Sequence, residues 1–484
     1  MISVHEIQTA LVQATEDILT STEYESPTLA TFYAPQSHIK ALRLYTQLVV
    51  GARGVGKTFW SEALQNKEVR GVLGKRLPEL ENVYVVVGYS TQNSPSYPSL
   101  DVFSSLIKKY EPESIWRGVL LYCIIYNNLC TTIYEQILHI ESWDERIAWV
   151  AQHPEKVDRI FYNANQELLT KEKKLLVIFD ALDRVAKTWD DIDQITDGLL
   201  RTALQFSTYT NIKTKIFLRE DHCNRLSFSF PDSSKLLSSK IALEWTRADL
   251  YGLLWKRLCN GKRKSGEILR DIFCTVIPHG LEENSSVWFF DEYLRLNDDI
   301  LRPLFHKLTG PLMGKDKRRG VPYVWTVSHL ADTLQQTSPR SFLAAIRSAC
   351  ADSLQRYPDH TFPIHYESIK RGVLSASDIR VNEMGEDHPW ARNLLQALRG
   401  MNVPCLFTDV ESKWRALYPD GPMTLEQYPQ HMTATLSPKS WTIIRDQLAK
   451  LGFCVTLNDG RFNIPDLYRV GFRLGRRGGV KPLP

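Results

Sequence analysis

The segment that most constrains this chain is the short apolar run Tyr45-Thr46-Gln47-Leu48-Val49-Val50. It is followed by Gly51-Ala52-Arg53-Gly54-Val55-Gly56-Lys57-Thr58 and then by helical spacing from Phe59 to about Asn66. A strand here must pass through a turn tight enough to need glycine and continue directly into a helix. In that turn backbone N–H groups converge on one place, and the following helix aims its positive N-terminal end at the same place. The result is a cradle for phosphate oxygens. The spacing G-x-x-x-x-G-K-[ST] adds an ammonium, Lys57, for β/γ-phosphate charge and a hydroxyl, Thr58, suited to Mg²⁺. Rough residue frequencies give about one or two chance matches of the bare pattern per hundred chains of this length, before the flanking strand is required. The candidate binding residues are Gly51, Gly54, Val55, Gly56, Lys57, Thr58 and Phe59, and the implied ligands are ATP and Mg²⁺. The competing structural account is an ordinary glycine-rich turn.

Such a site needs a second strand carrying a carboxylate for the metal. Leu175-Leu176-Val177-Ile178-Phe179-Asp180 is an unbroken apolar run ending in an acid, as a strand buried on both faces of a parallel sheet would be. Asp180 falls at the carboxyl end of that strand, where open α/β sheets bind ligands, so it joins Thr58 as a candidate metal residue. Asp183 follows in Asp180-Ala181-Leu182-Asp183-Arg184 and is the candidate for orienting an attacking water, with a plain surface carboxylate as the alternative. The catalytic set is thus Lys57, Asp180 and Asp183. Val83 to Tyr89 and Lys215 to Asp221 supply further strands separated by helical stretches. The expected fold class is α/β: a doubly wound, mainly parallel P-loop NTPase sheet with a helical lid and a C-terminal winged-helix domain.

The loop and the run Asp180 to Arg184 resemble the P-loop ATPases of the STAND, KAP and ORC/Cdc6-like AAA+ group, whose second acidic strand commonly ends in two acids. Ala181 stands here where that group usually has its catalytic base, so the resemblance implies nucleotide binding more strongly than hydrolysis. It implies that Arg219, closing Lys215-Ile216-Phe217-Leu218-Arg219, is a sensor of the γ-phosphate, against the alternative of a strand-end ion pair. It further implies that Arg340, in Thr337-Ser338-Pro339-Arg340-Ser341, starts a lid helix and reaches the nucleotide. Phe32-Tyr33-Ala34-Pro35 is similar to the segment lining the adenine pocket in this group. In such assemblies a neighbour's arginine can complete the site, for which Arg184 and Arg225 are candidates.

The remaining chain bounds the function. Its 484 residues carry 59 Lys+Arg and 55 Asp+Glu, so the net charge of +4 names no partner. No apolar run reaches the roughly 18 residues of a membrane helix, the first twenty residues do not read as a secretory signal, and the expected location is the cytoplasm. Eight cysteines without a C-x-x-C pair, most of them in apolar runs such as Asp271-Ile272-Phe273-Cys274, read as buried reduced thiols.

The expected organisation is a helical segment at 1–44, an ATPase core at 45–257 with a helical insertion at about 92–170, a helical lid at 258–385 and a winged helix at 386–484. Aromatics of the insertion (Trp116, Tyr122, Tyr126, Trp143, Trp149) read as core. The clusters Lys262-Arg263-Lys264 and Lys315 to Arg319 read as solvated loops, with nucleic acid or a partner as the alternative. Helical spacing at 390–398 and 409–417, a helix starting at Ser437-Pro438-Lys439, and a hairpin across Asn458-Asp459-Gly460 compose the winged helix. Lys439, Arg445, Lys450, Arg461 and the tail Arg469, Arg473, Arg476, Arg477 and Lys481 offer charge to phosphates, and protein contact is the equal alternative.

The functional expectation is a regulatory ATPase whose nucleotide state controls homo-oligomerisation or engagement of an effector protein, in the setting of prokaryotic anti-phage defence that the resemblance implies. The alternative is an ATP-dependent initiator or loader gripping duplex DNA. No membrane partner is expected.

Overall fold

The computed structural model describes residues 2–18, 25–131, 137, 139–291, 294, 296–425 and 441–476. The chain divides into two compact units, one of Ser26–Leu29 with Ala34–Glu244, the other of Met1–Glu25, Ala30–Tyr33 and Trp245–Pro484.

The first unit is built on five parallel strands: β1 (Leu48–Gly51), β2 (Val83–Tyr89), β3 (Lys174–Phe179), β4 (Ile212–Arg219) and β5 (Ile241–Ala242), in the order β2-β3-β4-β1-β5. The uninterrupted apolar run Leu175 to Phe179 is fully buried, as a strand covered on both faces must be. The strand β4 begins three residues before Lys215, through polar residues that the sheet satisfies internally. Thr214 accepts from Gln47 Nε2 at 3.2 Å. The Lys215 ammonium, fully buried, donates to the carbonyls of Ala41 (2.7 Å), Arg43 (3.0 Å) and Thr46 (2.6 Å). It thereby ties the segment entering β1 to its neighbour, while burial pulls its pKa down to about 7.

The stretch between β2 and β3 forms helices Leu100–Leu106, Pro112–Tyr126, Trp143–Gln152 and Pro154–Thr170. Trp116 is fully buried among them, donates to Ile195 O at 2.7 Å and meets Phe179 edge-on. Tyr126 departs from the expected core: its ring stacks on Tyr122 but remains 63% exposed.

The second unit is mostly helical. The helix Val4–Thr15 opens with a capping box between Ser3 and Glu6, and Arg247–Cys259 with one between Thr246 and Asp249. A hairpin absent from the sequence reading, β6 (Leu281–Asn284) with β7 (Val287–Phe290), turns through Ser285 and Ser286, whose φ of 50° and 64° suit a two-residue hairpin turn. Long helices Pro339–Arg356 and Tyr366–Asp387 follow. Beyond them come helices Pro389–Gln396, Phe407–Leu417 and Trp441–Lys450, each of which fully buries a tryptophan, Trp390, Trp414 and Trp441. The short strands β8 (Asn402–Val403) and β11 (Gly475–Arg476) pair in parallel. The strands β9 (Val455–Thr456) and β10 (Phe462–Asn463) form the hairpin expected across Asn458-Asp459-Gly460, with Gly460 at φ 81°. The expected helix start Ser437-Pro438-Lys439 and the tail residues Arg477 and Lys481 lie outside the described residues.

Two expectations change. Cys274 is exposed, because the helix Lys264–Val276 buries Ile268, Leu269 and Phe273 on its other side. Arg469 is buried and ion-paired to Asp466 at 2.6 Å, which removes it from any phosphate-binding surface. Both basic clusters are solvated as expected: Lys262, Arg263 and Lys264 are exposed, Lys262 pairing with a likewise exposed Asp17 at 2.6 Å, and the turn Lys317–Arg319 is exposed. Among the described residues no helix is long and apolar enough to cross a membrane.

Replacing Lys215 with Met keeps the length of the side chain and leaves three carbonyls without their donor. The expected loss is about 3 kcal/mol of unfolding free energy at unchanged denaturant slope, read by urea titration. A loss below about 0.5 kcal/mol would show that water replaces the ammonium.

Candidate functional site

The strand β1 is buried along its whole length and ends at Gly51, where a Cβ would lie 2.6 Å from Val55 Cγ2. Only glycine lets the returning loop come so close. Gly56 holds φ 102° as the N-cap of the helix Lys57–Gln65, a backbone conformation that would strain any other residue at this entry. The helix is anchored behind the loop: Trp60 Nε1 donates to His38 Nδ1 at 3.0 Å, and the other His38 nitrogen lies 3.0 Å from Glu244 O. Burial lowers His38 to a pKa of about 4, so the ring is neutral, with its proton on Nε2 facing the carbonyl. Phe59 meets Trp60 edge-on at 5.7 Å.

The carboxyl ends of β1, β4 and β3 lie side by side, and each contributes to the same place. Gly51 is in register with Arg219 on β4, and Asp180 directly follows β3 on the far side of β4. Asp180 is only 2% exposed. The Thr58 hydroxyl donates to its carboxylate, and Oδ2 has no hydrogen-bond partner. Burial raises its pKa against the opposing pull of Thr58 and Lys57. A buried carboxylate oxygen with nothing to satisfy it, next to a hydroxyl oxygen, is the donor set a hard divalent cation takes. The residues present therefore fit Mg²⁺.

Lys57 reaches back over the loop, donating to Gly51 O at 2.9 Å and Ala52 O at 3.0 Å. Its pKa falls to about 8, first through removal from water and then through the Arg219 guanidinium, against the attraction of Asp180, Asp183 and Asp221. Arg219 forks onto Asp221 through Nε (3.0 Å) and Nη2 (2.7 Å) and touches Asp183 Oδ2 at 3.5 Å through Nη1. Ala181, where a second acid was expected by resemblance, sits at φ 55° and turns the chain sharply so that Asp183 faces Arg219. Asp221 was missed in the sequence reading, although it stands two residues beyond Arg219. Tyr89 was missed as well: its carbonyl accepts from Asp180 N at 3.0 Å and its hydroxyl donates to Arg184 O at 3.0 Å, clamping both ends of the turn.

Arg340 is in the second unit, near the start of the helix Pro339–Arg356, paired to Glu383 at 2.7 Å. Tyr33 is also in that unit, against Trp245 and Phe290. Arg225 is engaged with Asp193 at 2.8 Å and lies 4.2 Å from the centre of the Trp189 ring, whereas Arg184 is exposed.

The sheet order, with the loop following its inner strand β1, is that of a P-loop NTPase. No protein-family model matches the chain, and no curated protein matches it in sequence. Among solved structures it is similar to the Walker-type ATPase PABY2304 of Pyrococcus abyssi, at 12% identity and TM-score 0.44, over 94% of this chain and 99% of that one. It is also similar to the Aeropyrum pernix ORC2 protein solved as ADPNP-ADP complexes, at 12% identity and TM-score 0.41, over 93% of each chain. The Aeropyrum pernix ORC1 protein in complex with DNA follows at 14% identity and TM-score 0.31, over 95% of this chain and 88% of that one. At these identities and scores the likeness decides nothing about function; the fold rests on the chain's own topology.

An ammonium with a pKa of about 8 must be protonated to hold phosphate. Affinity for a nucleoside triphosphate is expected to be level below pH 8 and to fall by up to about tenfold per unit above it. Lys57→Arg, which keeps its charge, should flatten that fall. Fluorescence titration with Mg-ATP from pH 6.5 to 9.5 reads it, and a flat wild-type profile would contradict the assignment.

Proposed function

We propose that the protein is an ATP-dependent regulatory switch in which the loop Gly51 to Phe59 binds ATP, and its occupancy governs self-association or engagement of an effector protein. The observation that carries this reading is the buried, half-unpaired Asp180 carboxylate beside Thr58 and Lys57 at the mouth of a phosphate-shaped loop. Thr58 and Asp180 would hold Mg²⁺, which supplies charge neutralisation at the β- and γ-phosphates when bound. Lys57 would neutralise the same oxygens, and Arg219 would read the γ-phosphate.

Hydrolysis in this reading is slow. Asp183 is the acid that would orient water, and its carboxylate is already shared with Arg219 at 3.5 Å. Asp221 holds the same guanidinium by two bonds, so Arg219 must partly leave these acids to reach phosphate. Arg340 would report from the lid only after releasing Glu383. Exposed Arg184 suits the role of an arginine offered to a neighbouring subunit better than the engaged Arg225. Placement within a prokaryotic anti-phage system rests on the family resemblance.

Purified wild type, Lys57→Ala and Asp183→Asn decide between these states. Lys57→Ala is expected to weaken Mg-ATP binding at least tenfold. Asp183→Asn should keep binding and lower turnover about 100-fold where wild type turns over. Wild type that binds ATP through Lys57 without turnover is a switch read by occupancy, and its mass by light scattering should then change with ATP. Wild type that fails to bind millimolar Mg-ATP overturns the proposal.

A second reading has its own observation. The helix Trp441–Lys450 feeds the β9–β10 hairpin, and β10 also pairs with Cys405, which supports a winged helix able to contact duplex DNA. Much of its charge is spent internally: Arg445 pairs with Asp446, Arg461 with Asp459 and Arg476 with Asp466. Duplex affinity by fluorescence anisotropy should therefore be weak and fall less than about tenfold between 50 and 200 mM salt. A steeper fall would move the initiator reading to first place.

A further inference from the structure

Within the second unit, the helices Tyr366–Asp387, Pro389–Gln396 and Asp466–Gly471 enclose a cleft of about 340 Å³. Three arginines line it, Arg392, Arg399 and Arg473, against the single acid Asp378, together with Asn382 and Gln396. The balance is two positive charges in a space at the lower end of the range for small-molecule sites.

The arginines differ in how they are held. Arg473 Nη2 lies 3.1 Å from Asp378 Oδ2, and Arg392 Nη2 lies 3.3 Å from Asn382 Oδ1. Arg399 is exposed and makes no ion pair among the described residues. The stem of Arg392 runs along the helix Tyr366–Asp387 at Gly385, where a Cβ would lie 2.5 Å from Arg392 Cδ. The floor is fixed by Gly471, where a Cβ would lie 2.6 Å from Val381 Cγ2.

Arg473 stands where the helix Asp466–Gly471 ends and holds φ 59°, with Leu474 N bonded back to Arg469 O at 2.9 Å. Helices commonly close in this left-handed conformation with glycine. An arginine here bears backbone strain that glycine would not, and what it gains is a charged side chain lining the cleft beside Asp378.

We propose that this cleft is an anion site for a phosphate group carried by a mononucleotide-sized ligand, separate from the loop at Gly51 to Thr58. Guanidiniums meet phosphate through paired N–H donors, and the two amides offer hydrogen bonds to the rest of such a ligand. Nucleic-acid backbone presents the same phosphate chemistry, and the two sources separate in solution.

The test titrates AMP, and in parallel a 20-base-pair duplex, into the full chain by calorimetry. It uses wild type, Lys57→Ala, Arg392→Ala, Arg399→Ala and Arg473→Gly. Saturable AMP binding should survive Lys57→Ala and fall at least tenfold in each arginine variant. Arg473→Gly relieves the backbone strain, so its melting temperature should hold or rise while binding falls, an outcome that damaged folding cannot produce. If the duplex responds to the three arginines and AMP does not bind, the phosphate chemistry stands and its source is nucleic acid. AMP binding that is lost with Lys57→Ala, or binding of both probes that ignores all three arginines, overturns the proposal.

Discussion

The constraint on which the first unit turns is a carboxylate kept out of water with one oxygen unsatisfied. Asp180 could lower its cost by moving outward, and several features prevent it. A bulge in β2 at Gly88, where a Cβ would lie 2.3 Å from the Phe179 ring, brings Tyr89 level with Phe179 so that its carbonyl takes the Asp180 N–H. Ala181 then accepts a left-handed backbone, and the Tyr89 hydroxyl secures the turn at Arg184. Strain and buried charge gathered in one turn are what a ligand site requires and a merely stable fold avoids.

The neighbouring charges form a second layer of the same constraint. Lys57, Arg219, Asp180, Asp183 and Asp221 are two cations and three acids drawn to the ends of three adjacent strands. Arg219 is the pivot, because it depresses Lys57 while being held by Asp221 and Asp183. In the proposed reading, an anion in the loop would compete with those two acids for the same guanidinium. An exchange of partners at Arg219 would then act on the Asp183 turn, which the guanidinium touches, and on the end of β4, which carries it.

Much of this was legible beforehand because it depends on local spelling. The loop, the apolar run into Asp180 and the Asp-Gly hairpin each declare themselves within a few residues. What stayed hidden depends on contacts between distant segments. Nothing near Lys215 signals that its ammonium will meet three carbonyls of residues 41–46, so polar residues concealed the first half of β4. In the sequence Asp221 is one more polar residue closing an apolar run, and only the fold brings the Arg219 fork onto it. The β6–β7 hairpin turns on Ser285 and Ser286, residues that rarely take positive φ and so gave no turn signal. Cys274 misled for the converse reason: apolar neighbours in sequence are not neighbours on one helix face.

The arginines of the C-terminal part follow a different rule from those of the loop. Counting basic residues along Arg445 to Arg476 suggests a phosphate-binding surface, yet each of Arg445, Arg461, Arg469 and Arg476 has an acid within 3 Å. The more exposed of these pairs, those of Arg445, Arg461 and Arg476, contribute little to stability and little field at a distance. Specific anion recognition in this unit would therefore fall to arginines whose charge exceeds that of their local acids. Arg392, Arg399 and Arg473 meet that condition around one cleft with a single carboxylate. Where charge is left over after internal pairing, rather than where it is most abundant, is the feature that separates a binding surface from a solvated one.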